Sequence, residues 1–242
     1  MAKRRLRMFA GPNGSGKSTI NSVISKNLLG YYLNPDEIEK EVNDKGYSDV
    51  RGLGLQINQK EIVAFFANHP LTERTERGDF IDYISYIEKG FISFANVGFD
   101  SYMSAILTDF LRQKFLEVGK SFTFETVMSS PDKIEILRKA QEEGYRTYLY
   151  YVATEDPLIN LLRIGHRVKT GGHNVPNDKV ISRYYRSLEL LLEAIKHSNR
   201  AFIFDNSGET KIWIAEIVDG SEIKLQTENI PNWFQKYVLE KI

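Results

Sequence analysis

Along the chain, short apolar runs alternate with longer stretches in which apolar residues return every three or four positions, the pattern of a mostly parallel sheet covered by helices. Leu6-Arg7-Met8-Phe9-Ala10 reads as the first strand, and after a glycine-rich stretch Ile20, Val23, Ile24 and Leu28 place one helical face before Gly30 ends it. Tyr31-Tyr32-Leu33 is a second strand, and Asn34-Pro35 supplies an N-cap with proline at the first helical position. Further strands are expected at 121–124, 147–152 and 201–204, with helices at 131–142, 157–169 and 177–196. These five strands give an α/β fold, a three-layer sandwich around a mostly parallel five-stranded core sheet. Residues 51–102 break the rhythm, with helical pieces such as Ile62-Val63-Ala64-Phe65-Phe66, several glycines and no clear strand. We read 51–105 as a helical insertion whose apolar residues, Phe65, Phe66, Ile84 and Phe94 among them, need the flank of the main sheet to bury against. After residue 204, apolar stretches flanking Asp219-Gly220 predict a hairpin, and 231–242 a closing amphipathic helix.

A length of 242 residues suits one domain spanning the whole chain. No apolar run approaches the roughly 20 residues that cross a bilayer, and the charged start lacks the core of a secretion signal, so the expectation is a cytoplasmic protein with no membrane partner. The absence of cysteine removes disulfides, thiolate metal sites and a cysteine nucleophile. Lys plus Arg and Asp plus Glu balance at 32 each, which argues against nucleic acid as a partner of the whole molecule; any basic site must be local.

Gly11-Pro12-Asn13-Gly14-Ser15-Gly16-Lys17-Ser18 matches G-x-x-x-x-G-K-[ST] in full, and it falls between the first strand and a helix. Glycines let backbone N–H groups curl around a phosphate, and the helix start adds partial positive charge. Lys17 can reach the β- and γ-phosphates, and Ser18 can ligate Mg²⁺. A dinucleotide fingerprint fails because Thr19 stands where that pattern requires Gly or Ala. Residues 11–19, Thr19 included, are therefore the expected binding segment for ATP with Mg²⁺.

Phosphoryl transfer also needs a carboxylate for the acceptor hydroxyl and positive charge on the moving group. Asp36 and Glu125 each follow an expected strand, on the side where open α/β sheets bind ligands. Both positions also suit a helix first-turn acid and a surface acid, respectively. Arg163 and Arg167 share one helical face, as do Arg183 and Arg186 on the next helix; Gly171-Gly172-His173-Asn174-Val175-Pro176 joins them. Two arginine-bearing helices on a glycine hinge make a lid over ATP.

Gly-Pro-Asn-Gly-Ser-Gly-Lys-Ser-Thr at 11–19, Asn34-Pro35-Asp36-Glu37-Ile38, Phe124-Glu125-Thr126, Arg167 with the Gly171–Pro176 segment, and Asp205-Asn206-Ser207 together resemble the zeta-toxin family of P-loop kinases. The resemblance implies an ATP-dependent kinase that moves the γ-phosphoryl group of Mg-ATP to a hydroxyl of a small-molecule acceptor, a nucleotide sugar such as UDP-N-acetylglucosamine, with an antitoxin protein as partner. It implies Lys17 as phosphate lysine, Asp36 as acceptor-hydroxyl base, Glu125 as substrate or metal-site acid, and Arg167 and Arg183 as phosphate clamps, with Arg163 or Arg186 able to take either arginine place. The alternative is a P-loop ATPase or nucleotide-gated module acting on a protein or nucleic-acid partner.

Overall fold

Strand β1 (Arg5–Ala10) carries Leu6, Met8, Phe9 and Ala10 with no solvent exposure, as a central strand of a parallel sheet requires. The computed structural model describes residues 3–22, 24–75, 79–87, 90–94, 98–170 and 175–242. The chain forms two units, Met1–Gly30 with Phe122–Ile242, and Tyr31–Ser121. After β1 come a 3₁₀ helix (Lys17–Ser22) and α1 (Lys26–Leu29). The second unit runs β2 (Tyr31–Leu33), α2 (Pro35–Lys45), β3 (Tyr47–Asp49), α3 (Gln59–Asn68), β4 (Ile84–Ile87), β5 (Phe91–Phe94) and α4 (Ser101–Glu117). The first unit resumes with β6 (Phe122–Thr126), α5 (Asp132–Glu142), β7 (Arg146–Ala153), α6 (Pro157–Lys169), α7 (Asn177–Glu189) and α8 (Leu191–Lys196). It ends with β8 (Arg200–Asp205), β9 (Ile212–Val218), β10 (Glu222–Leu225) and α9 (Asn232–Tyr237).

In the first unit the strand order is β10-β9-β8-β7-β1-β6. β6, β1, β7 and β8 are parallel; β9 and β10 are antiparallel to their neighbours. The mostly parallel α/β core thus matches expectation, and the hairpin turns at Asp219 and Gly220, with φ of 45° and 77°. On one face, Leu149, Tyr151 and Ala153 of β7 and Ala201 and Ile203 of β8 are fully buried. The Tyr151 ring lies 6.1 Å from that of Trp233 on α9.

The expected helices and the expected insertion are both corrected. The segment after the glycine loop is not one helix: it is a 3₁₀ helix and then, after Ser25 starts a new element, the four-residue α1. Thr19, Ile20 and Ile24 are β-branched, and Ser18 and Ser22 are of a residue type that disfavours helix interiors. Ile20 is buried as expected, but Leu29 rather than Leu28 is the buried leucine, and Val23 lies outside the described residues. The predicted 177–196 helix is interrupted at Leu190, giving α7 and α8.

The second correction concerns 51–105, which is not simply helical and does not end where its composition changes. β4 and β5 form an antiparallel sheet with β3 in the order β3-β5-β4, inside a unit that starts at Tyr31 and ends at Ser121. Its apolar residues bury against one another: the Phe66 ring centroid lies 5.9 Å from Phe80 and 5.7 Å from Phe94, and Phe65 meets Phe110 of α4 at 5.3 Å. Ile62, Phe66, Ile84, Ile92 and Phe94 are all buried, so this unit has a core of its own. Ties between α2 and the α4 region close it, with Asn43 donating to the Phe99 carbonyl at 2.9 Å and the Ser104 hydroxyl donating to the Pro35 carbonyl.

Candidate nucleotide-binding site

The loop between β1 and the 3₁₀ helix needs its glycines. Gly11, Gly14 and Gly16 have φ of 143°, 77° and 93°, a region that residues with a Cβ rarely adopt. Space forbids a side chain as well: a Cβ on Gly11 would lie 2.0 Å from the Val152 carbonyl oxygen, on Gly14 2.7 Å from the Asn160 carbonyl oxygen, and on Gly16 2.4 Å from Asn206 Nδ2. The turn is closed by the Ser15 amide donating to the Pro12 carbonyl at 3.2 Å. Thr19 Oγ1 donates to the Gly16 carbonyl at 2.7 Å. Lys17 Nζ folds onto the loop, donating to the carbonyls of Gly11 at 2.8 Å and Pro12 at 3.1 Å.

Two side chains from elsewhere in the first unit brace this loop, Asn160 and Asn206. Asn160 of α6, fully buried, donates from Nδ2 to the Asn13 carbonyl at 2.7 Å, while its Oδ1 accepts from the Thr154 hydroxyl. Asp156 caps α6 by accepting from the Leu158 amide, and Pro157 occupies its first turn, so the start of α6 is fixed by its own sequence. Asn206, just past β8, donates to the Ser15 carbonyl at 2.8 Å. Its neighbours are held as firmly: Asp205 accepts from the Ser207 amide and hydroxyl, each at 2.9 Å, and from Trp233 Nε1 at 2.8 Å, and Ser207 Oγ accepts from the Glu155 amide at 2.7 Å. Tyr184 of α7 donates to the Thr154 carbonyl at 2.6 Å, and burial pushes its phenol above its ordinary range, which keeps it a neutral donor.

Two polar atoms of the loop, Ser15 Oγ and Asn13 Oδ1, are buried with no hydrogen-bond partner among the described residues, and so is Arg163 Nη1 on α6. Arg163 reaches the loop after β8, its Nη2 donating to the Gly208 carbonyl at 3.3 Å. Lys211, at the end of that loop, has Nζ buried without a partner, 5.6 Å from the Phe204 ring centroid, and burial lowers its pKa. A glycine cradle with the orphaned polar atoms of Ser15 and Asn13 fits a polyphosphate. Among the described residues no group of three or more His, Asp or Glu could hold a metal by itself. A Mg²⁺ that shares its ligands between phosphate oxygens, water and the exposed Ser18 hydroxyl fits this donor set.

The other expected residues fall in both units. Glu125 lies within β6, not after it, opposite Phe9 in register and next to Thr126 opposite Ala10, so it stands beside the strand end that launches the loop. Arg167 is exposed and Arg183 half-buried, on α6 and α7; Arg186 is exposed and donates to its own helix at Ser182. Gly171, Gly172, His173 and Asn174 lie outside the described residues. Asp36 belongs to the second unit, exposed in the first turn of α2, its amide donating to Asn34 Oδ1 at 3.0 Å. Reading the sequence missed Asn160 and Thr154, a buried amide and hydroxyl that no local motif marks.

Residues 100–217, which include Glu125, the arginines and Asn206, match the family described as Zeta toxin. An uncharacterized protein of Haemophilus influenzae is 38% identical to the chain over 63 residues, 26% of this chain and 45% of that one. Among solved structures, the AvrRxo1-ORF1:AvrRxo1-ORF2 complex with sulphate ions gives a TM-score of 0.56 at 14% identity, covering 99% of this chain and 65% of that one. The AvrRxo1-ORF1:-ORF2 complex with ATP gives 0.52 at 16% identity, covering 93% and 61%. The PezAT chromosomal toxin–antitoxin system of Streptococcus pneumoniae gives 0.53 at 14% identity, covering 100% and 81%. The chain thus spans about 45% of the Haemophilus relative and less than two thirds of the AvrRxo1 structures. At such identities the structural likeness shows a shared fold and no more. Among the described residues no helix is long and apolar enough to cross a membrane.

Proposed function

We propose that the chain is an ATP-dependent kinase of the zeta-toxin type, moving a phosphoryl group to a hydroxyl of a small-molecule acceptor. The reading is carried by one observation: a complete phosphate loop whose three glycines admit no Cβ and whose lysine is held on the loop carbonyls. Mg-ATP, when bound, supplies the γ-phosphoryl group. In this reading Lys17 exchanges the carbonyls of Gly11 and Pro12 for phosphate oxygens, a charge-assisted bond replacing neutral acceptors. Ser18 holds the metal ion, and Arg167 and Arg183 offset charge as it develops on the group in flight. Asp36 takes the proton of the acceptor hydroxyl, and Glu125 orients acceptor or metal. The acceptor is a nucleotide sugar such as UDP-N-acetylglucosamine, and the partner that restrains the activity is an antitoxin protein. The match to the zeta-toxin family model over 100–217 supports the chemistry, and the ATP named for AvrRxo1 and the antitoxin named for PezAT support cofactor and partner by likeness.

The test is transfer of label from γ-labelled ATP, with Mg²⁺, to a panel of nucleotide sugars. Lys17→Ala is expected to lower turnover by about a hundredfold or more with an unchanged circular dichroism spectrum. Asp36→Asn is expected to lose turnover while still binding Mg-ATP. Full activity in Lys17→Ala would sink the reading, and collapse of ATP affinity in Asp36→Asn would make Asp36 a nucleotide or cap residue.

A further inference from the structure

The second unit holds a cavity of about 650 Å³, within the range that small ligands fill. It lies between the stretch that joins β3 to α3, the start of α3, β4 and α4. Each wall is tied down. The stretch is held at its start by the Tyr31 hydroxyl, which donates to the Gly52 carbonyl at 3.0 Å, and by Lys120 Nζ, which donates to the Leu53 carbonyl at 2.7 Å. It is held at its end by Asn58, whose Oδ1 accepts from the Glu61 amide at 2.9 Å. Gln59 clips β4 to α3, its Nε2 donating to the Ile84 carbonyl at 2.7 Å and its Oε1 accepting from the Tyr86 amide. Lys114 of α4, 8% exposed, sits between Glu61 at 2.7 Å and Glu117 at 2.6 Å.

Within these ties the lining keeps unused hydrogen-bonding capacity. Among the described residues, Leu55, Gln56 and Ile57 have no hydrogen-bond partner in backbone or side chain, although Ile57 is buried and backbone polar groups taken out of water are normally paired. Tyr86 is half-buried, with neither a ring neighbour nor a partner for its hydroxyl among those residues. Lys114 can donate three hydrogen bonds and has two carboxylate partners, which leaves one N–H.

We propose that this cavity binds a neutral, hydroxyl-rich small molecule, a sugar or polyol, against the Tyr86 ring, with Gln56, Glu61, Lys114 and the 55–57 backbone as its hydrogen-bond partners. Charge decides against ions. An anion would find Lys114 already offset by two carboxylates and would face Glu61 itself, whereas an ammonium group would face Lys114. A hydroxyl both donates and accepts, and the lining offers both kinds of partner: carboxylate and carbonyl oxygens, and ammonium, amide and backbone N–H groups. Tyr86 adds ring surface for the C–H groups of such a ligand. The site is separate from the acceptor position of the kinase reading. Ser104 of α4 bonds to Pro35, next to Asp36, and Lys114 lies ten residues further along α4, roughly 15 Å at the helical rise. The diphosphate of a nucleotide sugar is also what these carboxylates repel, so the proposal does not rest on that reading.

The test is calorimetric titration of the full-length chain with maltose, cellobiose, N-acetylglucosamine and myo-inositol, and with glucose 6-phosphate and spermidine as charged controls. Expected is a dissociation constant of about 1 mM or below for at least one neutral ligand, with neither control binding as tightly. Gln56→Ala is expected to weaken that binding by about threefold or more, and Tyr86→Ala by about fivefold or more. Gln56 is exposed and has no partner to lose, so its variant keeps the test decisive even if Tyr86→Ala melts below the parent. Lys17→Ala is expected to bind the neutral ligand unchanged, whatever becomes of its kinase activity. The proposal is overturned if none of the four neutral ligands binds, if either control binds as tightly, or if Gln56→Ala keeps full affinity. Displacement of the bound ligand by saturating Mg-ATP or UDP-N-acetylglucosamine overturns it as well, by placing that ligand in the kinase site.

Discussion

A methyl group at Gly11 would sit 2.0 Å from the Val152 carbonyl oxygen, and neither atom can yield, because one belongs to the loop and the other to β7. Gly11→Ala is therefore expected to destabilise the chain by about 3 kcal/mol through strain at positive φ and displaced backbone, with ATP binding lost in the fraction that folds. Chemical denaturation of the variant checks this, and a loss below about 0.5 kcal/mol would mean that the loop adopts another shape. At this scale the shape of the loop was legible from sequence, because the loop is contiguous and its glycines each have a physical reason. Lys17, the glycines and Ser18 could be named from spacing alone. Asn160 could not, since its use depends on α6 arriving beside a loop 147 residues away in sequence.

The N-terminal end of α6 acts as a strut for the phosphate loop. Buried Asn160 joins the Asn13 carbonyl to the Thr154 hydroxyl, so Asn160→Ala would leave both without that partner, at a cost of about 1–3 kcal/mol. The expected outcome is a lower melting temperature and a smaller upward shift of that temperature when Mg-ATP is added, since a looser loop binds nucleotide less tightly. An undiminished ATP-induced shift would assign Asn160 to folding alone. Elements with strong local signals were read correctly: α6 and α2 both carry a capping side chain with proline in the first turn. Elements without them were misread. β4 and β5 are four residues each, too short for alternation to stand out, and they form a sheet only by pairing with each other and with β3. The helix expected after the phosphate loop failed for the opposite reason, since its apolar residues recur at helical spacing while its β-branched and serine residues oppose a helix.

For the whole molecule, composition pointed to a segment that departs from the α/β rhythm but misplaced its edges, because Tyr31–Val50 and Ala105–Ser121 look like ordinary crossover elements in sequence. The second unit begins and ends where the first closes on itself: the Thr123 hydroxyl donates to the Leu29 carbonyl at 2.5 Å, so the chain leaves and re-enters at neighbouring points. Removing 31–121 and joining Gly30 to Phe122 through a short glycine-serine linker is expected to leave a folded first unit that binds ATP and transfers nothing to the native acceptor. Retained acceptor turnover would place the whole acceptor site in the first unit and remove Asp36 from the mechanism.

The indole of Trp233 is bonded to Asp205, whose neighbour Asn206 holds the Ser15 carbonyl, so the last helix and the first loop are joined by two hydrogen bonds. Thermodynamic reciprocity then links the two ends of the sequence: whatever factor a docked α9 contributes to nucleotide affinity, bound nucleotide returns as the same factor in the docking of α9. The carboxy-terminal helix is in this sense a ligand of the phosphate loop, carried on the same chain.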